Sequence, residues 1–187
     1  MIARPTGPIV APFPRPSAVV ETAMIELQLA TAVPPSSEAE RRAVADLPRP
    51  WDPAGCKGIL RQDIWQWLDQ VVAWVNEEHT WRPDRTIPIC WTQHPHIVHD
   101  LATVACLRHQ AGRAAESPTS LDDWHRYALP MFLDRIVARI GDTGCPPGRH
   151  TDNPGASRAS MYRNDEQRLR RQRRYLADLR GPHQVST

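Results

Sequence analysis

The stretch Ile59 to His79 constrains this chain more than any other. Stepping 100° per residue from Leu60 puts Leu60, Ile64, Trp67, Leu68, Val71, Trp74 and Val75 on one side of a helix. Trp65 and Val72 widen that apolar arc to roughly 180°, while Gln62, Asp63, Gln66, Asp69, Gln70 and Glu77 take the opposite side. A helix lying on one neighbour needs a narrower stripe, so this one calls for two neighbours. Its three tryptophans are thick side chains that set the spacing to whatever packs on it. A bundle core is the expectation. The alternative is that part of the arc forms an exposed groove for a partner.

Two further segments carry helical periodicity. After a loop containing Pro83 and Pro88, a helix starts at His94–Pro95, with proline at the first helical position where its missing N–H is not needed. Ile97, Val98, Leu101, Val104 and Ala105 share its inner face, together with the stem of Arg108, and Gly112 ends it. The next helix starts at Ser120, is kinked by Pro130, continues on a rotated stripe of Leu129, Phe132, Leu133, Ile136, Val137 and Ile140, and stops at Gly141. A fourth helix spans Asn164 to Leu179. No strand is predicted.

The expected fold is therefore all-α: a small antiparallel bundle of three core helices over residues 51–145. Residues 1–50 are expected to form a disordered Pro-rich arm, because nine prolines interrupt helix and sheet alike. Within that arm, Ser17 to Val33 is apolar enough for a transient helix, and Ser37 with Glu40 forms a capping box for a short helix through Asp46. Residues 146–187 are read as a loop followed by an Arg-rich, basic C-terminal helix.

A length of 187 residues accommodates one ordinary domain with tails, and a net charge of only +2 excludes a polyanion binder acting through bulk charge. The charge is uneven, with a net +4 over residues 142–187. Lys57 is the only lysine, against 22 arginines, which is the usage of a GC-rich genome. Prolines at 5, 8, 12, 14 and 16 break up any apolar signal-peptide core, and no run of 18 apolar residues occurs. The four cysteines are scattered, with no C-x-x-C pair. These features predict a cytoplasmic protein with reduced thiols and no membrane contact. Nothing in the pattern singles out a protein partner or an oligomeric state.

The first candidate site is a metal centre. Cys90 and His94 are spaced C-x3-H, and Cys145 and His150 are spaced C-x4-H. In an antiparallel hairpin of the second and third helices, the start of one lies beside the end of the other, so the two pairs meet. Two thiolates and two imidazoles satisfy tetrahedral zinc, and such a clip would fix a Gly-Pro loop with little core of its own. The alternative is a capping histidine with cysteines as small apolar fillers.

Three other constellations stand beside it. His96, His99, Asp100, Thr103 and Cys106 fall opposite the apolar stripe of the second helix, which suits a metal or an exposed thiol but equally an ordinary solvated face. His125, next to Trp124, reads as a partly buried histidine more readily than as a catalytic one. The run RLRRQRRYLADLR, residues 168–180, sets Arg168, Arg170, Arg171, Arg173 and Arg174 on one short helix, suited to phosphates, with Tyr175 available to stack on a base. Its bland counterpart is a solvated helix.

From Leu47 to about His150 the chain resembles an uncharacterised actinobacterial family, domain of unknown function 4913. The resemblance is carried by LPRPW (47–51), IWQWLDQVVAWV (64–75), IPICWTQHPHIVHDL (87–101) and DDWHRYALP (122–130), with Cys90 to Pro95 the most particular part. It implies a helical accessory protein of chromosomes, plasmids or phages, and it supplies no catalytic residues. Three function classes follow: a non-enzymatic accessory or adaptor protein, a nucleic-acid-binding protein using the C-terminal arginines, and a metal- or thiol-dependent enzyme.

Overall fold

In the computed structural model, residues 9–115, 117–141, 145, 150 and 163–179 are described. Among them the chain is all-α, with no strand. The elements are α1 (Ala18–Ala32), α2 (Glu38–Asp46), α3 (Gly58–Glu78), α4 (Pro95–Ala111), α5 (Thr119–Asp123), a π-helical turn (Trp124–Ala128), α6 (Leu129–Ile140) and α7 (Asp165–Leu179). Short 3-10 turns at Pro83–Arg85 and Trp91–Gln93 lie between α3 and α4. The chain divides into two compact units, residues 1–149 and 150–187.

The central helix buries the side its periodicity selects. Leu60, Ile64, Trp67, Leu68, Val71, Val72, Trp74 and Val75 are all buried, whereas Gln62, Gln66, Asp69, Gln70 and Glu77 are exposed. Its two neighbours are α1 and α4. The first comes from the arm expected to be disordered, so that expectation is corrected from Ala11 onward. Val20, Ala23 and Met24 of α1 belong to the same core as α3, and the stretch between Pro16 and Pro34 contains no proline to interrupt the helix. Ser17 accepts from the Val20 N–H as N-cap and donates its hydroxyl to Asp63 of α3 at 2.6 Å.

The prolines ahead of α1 do not leave that segment unattached. Proline lacks an N–H but keeps its carbonyl, and a buried indole N–H needs an acceptor. Trp74 Nε1 donates to the Ala11 carbonyl at 2.9 Å and Trp67 Nε1 donates to the Pro14 carbonyl at 3.0 Å. Between these anchors, Phe13 sets its ring edge-on to both indoles. Residues 11–14 thus form an extended strap across α3. The capping box of α2 is present, with Ser37 Oγ accepting from the Glu40 N–H and the Glu40 carboxylate accepting from the Ser37 N–H.

Helix α4 is enclosed on more than its predicted face. Ala102 and Cys106 are buried along with Ile97, Val98, Leu101, Val104 and Ala105, because α3, α5, the π turn and α6 all pack on it. Asp100, early in α4, accepts from Arg135 at 2.9 Å and Arg139 at 3.1 Å, late in α6. The start of α4 therefore lies beside the end of α6. The break expected at Pro130 takes the form of the π turn just before it, in which the Leu129 N–H reaches back to the Trp124 carbonyl. One extra residue in that turn, next to a proline with no N–H, rotates the apolar stripe between α5 and α6.

Candidate metal centre

The loop between α3 and α4 is fixed before it reaches the candidate ligands. Asn76 of α3 brackets Ile87, with Oδ1 accepting from the Ile87 N–H at 2.8 Å and Nδ2 donating to its carbonyl at 3.0 Å. Ile87 itself is buried. Arg85 forms an ion pair with Asp134 of α6. The 3-10 turn Trp91–Gln93 then buries Trp91, whose ring centroid lies 5.8 Å from that of Trp65, and brings Cys90 and His94 to the same side.

At this point Cys90 Sγ is 3.4 Å from His94 Nε2, and Cys145 Sγ is 3.3 Å from the same nitrogen. His94 and Cys145 are buried; Cys90 is half-buried. The ligand atoms of Cys90, His94, Cys145 and His150 all lie within 4.8 Å of one another. His150 follows Arg149, the last residue of the first unit. In a tetrahedron with Zn–S of about 2.3 Å and Zn–N of about 2.0 Å, adjacent sulfur and nitrogen atoms stand about 3.5 Å apart. The two S···N separations are therefore near what a metal between them requires, and the cluster can hold a soft or borderline ion such as zinc.

Burial, reinforced by the Cys145 thiol, pushes the Cys90 thiol above its ordinary range. A divalent cation reverses that preference by displacing the thiol protons. His96 stands next to the cluster, its ring centroid 5.6 Å from that of His94. Burial, with Arg139 as the next cause, holds it below the usual histidine range.

The other candidate constellations do not converge. Cys106 is buried rather than exposed, and burial, followed by the neighbouring Cys56, raises its thiol to about 12. It is not a reactive surface thiol, because α4 is covered on the side where periodicity placed solvent. His99 and Thr103 are exposed, and Asp100 is taken up by Arg135 and Arg139. His125 is also exposed, in contrast to the partly buried reading, and packs its ring against Trp124 and His79. The buried partner of that pair is Trp124, whose indole donates to the Val104 carbonyl at 2.9 Å. A groove of about 760 Å³ runs between α4 and α6, walled by Leu107, Tyr127 and Met131, and His99, Cys106 and His125 are not among its lining residues.

On α7, Arg168, Arg170, Arg173 and Arg174 are exposed and Arg171 is half-buried. Arg168 pairs with Asp165 and Arg170 with Glu166, one turn back along the same helix. Arg180, at the end of the run, lies outside the described residues. Among the described residues no helix is long and apolar enough to cross a membrane.

Comparison with protein-family models, with curated proteins and with solved structures returns no match to this chain.

Proposed function

We propose that this chain is a non-enzymatic accessory or adaptor protein whose helical domain is clipped at one end by a structural zinc ion held by Cys90, His94, Cys145 and His150. The observation that carries this reading is the approach of both Cys90 and Cys145 to His94 Nε2, although Cys145 is 51 positions away in sequence. A set of four protein ligands leaves no open position for substrate or water, which is the signature of a structural rather than a catalytic zinc. The four cysteines are free, in keeping with a reducing cytoplasmic setting. The test is metal analysis of protein purified without a histidine tag. About one equivalent of zinc is the expected result; a metal-free protein that takes up no zinc on titration ends the proposal.

A second reading adds nucleic-acid binding through α7. It rests on Arg173 and Arg174, both exposed, with Tyr175 beside them at 58% exposure. Phosphate contacts of this kind release counterions, so affinity for DNA falls steeply with salt. Truncation after Ser160 then removes the binding; equal affinity with and without the tail rejects it.

A further inference from the structure

Arg108 is an unusually placed charge among the described residues. Its guanidinium lies over three aromatic rings, with its central carbon 5.1 Å from the Phe13 centroid, 5.5 Å from Trp124 and 5.8 Å from Trp74. Its Nε is buried with no hydrogen-bond partner, and no carboxylate pairs with it among the described residues. Arg108 as a whole is half-buried, and even partial withdrawal of an arginine from water without an anion has a cost. Ring faces offset part of that cost, and they also hold the planar fork in one orientation.

The fork opens onto a cavity of about 400 Å³ lined by Phe13, Pro14, Arg15, Glu21, Arg108, His109, Gly112 and Arg113. Gly112 is what admits it. A Cβ at this position would stand 2.8 Å from Arg108 Nη1, inside contact distance, so a side chain here would displace the guanidinium. Three arginines and one carboxylate face the space. Glu21 is committed to Arg113, with His109 Nε2 at 3.9 Å. Arg15 is exposed, and like Arg108 it has no ion pair among the described residues.

We propose that this cavity is a binding site for a small oxyanion of the phosphate class, with Arg108 as the preorganised fork, Arg15 as the mobile outer cation and Arg113 held in place by Glu21. Guanidinium groups match phosphate oxygens in geometry and charge, and such charge-assisted bonds are the stronger ones. The volume suits a phosphate with a small organic body. The site does not depend on the metal centre, whose ligands are none of these residues.

The probe is inorganic phosphate, titrated into the full-length protein at constant ionic strength with chloride as the replaced anion. Binding is read from the fluorescence of Trp74 and Trp124, which cage Arg108, and by calorimetry. A nucleoside monophosphate and a short single-stranded oligonucleotide form parallel arms that separate a small ligand from a polymer backbone. Saturable binding of phosphate and the monophosphate is expected. Arg15→Ala, at an exposed position, keeps the fold and weakens binding about tenfold, the loss of one charged hydrogen bond; Gly112→Ala weakens it by displacing Nη1. Absence of a saturable response to both small ligands overturns the proposal, as does binding that Arg15→Ala and Gly112→Ala leave unchanged. Binding by the oligonucleotide alone also overturns it, in favour of a polymer surface.

Discussion

The Cys145 thiol stands 3.3 Å from the His94 imidazole across 51 positions of sequence, and α4 and α6, which lie between the two residues in the chain, run in opposite directions. Asp100 near the start of α4 accepts from Arg135 and Arg139 near the end of α6, so the segments flanking the two helices meet at one end of the bundle. A metal at this point would join the loop before α4 to the loop after α6. Replacing Cys145 with Ala or adding a chelator should therefore have the same effect: loss of bound zinc and a loss of several kcal/mol of stability at neutral pH, read as a lower urea midpoint. Applied together, the two treatments should not add. Unchanged midpoints in both cases would show that the thiols only fill space.

Trp74→Phe removes the donor that holds the Ala11 carbonyl while keeping most of the ring. A destabilisation of about 1–2 kcal/mol is expected from the lost bond and the orphaned acceptor. Deleting residues 1–17 should have a larger effect, because Phe13 and both carbonyl acceptors go at once and Trp67 and Trp74 become wet. Denaturant melts and a red shift of tryptophan emission measure both outcomes. A truncated protein as stable as the full chain would mean that the strap contributes nothing.

The buried Cys106 thiol sets an alkaline limit. Its folded-state value of about 12 lies above the ordinary 9.0, so the folded protein keeps a proton that the unfolded chain releases. The associated stability is complete below pH 9 and is lost as pH rises towards 12. Urea midpoints should fall across that window, and Cys106→Ala should flatten the decline. A pH-independent midpoint over the same range would contradict the burial.

Acid acts through the histidines with the opposite sign. Burial lowers His79 and His109 below 6.5, so the unfolded chain takes up protons that the folded one refuses. Stability is present above about pH 6.5 and declines as pH falls below it. Because neither residue is among the candidate metal ligands, the decline should persist in chelator-treated protein. Titration of the metal-free protein in urea provides the measurement.

Much of the bundle was legible because apolar periodicity reports burial directly. The arc on α3, the start of α4 at Pro95, the end of α6 at Gly141 and the Ser37–Glu40 capping box all depend on residues within one or two turns of one another. The pairing of Cys90 and His94 with Cys145 was legible for a related reason: antiparallel topology fixes which ends meet. Three features were not. The strap at residues 11–14 depends on indole donors more than 50 positions away. Cys106 is enclosed by elements that periodicity on α4 does not record. The cage around Arg108 assembles rings from three separate segments.

The sequence by itself determined that this protein is helical, where its long helices begin and end, and which of their faces avoid water, because propensity, capping and amphipathic spacing act over a few residues. Only the tertiary structure decided that the proline-rich segment is part of the domain, that Cys106 is sealed, and that Arg108 faces a basic cavity with no carboxylate of its own among the described residues. Those outcomes depend on which donors, rings and charges arrive from distant parts of the chain, and hydrogen bonding and desolvation at such meetings leave no periodic mark on the residues that make them.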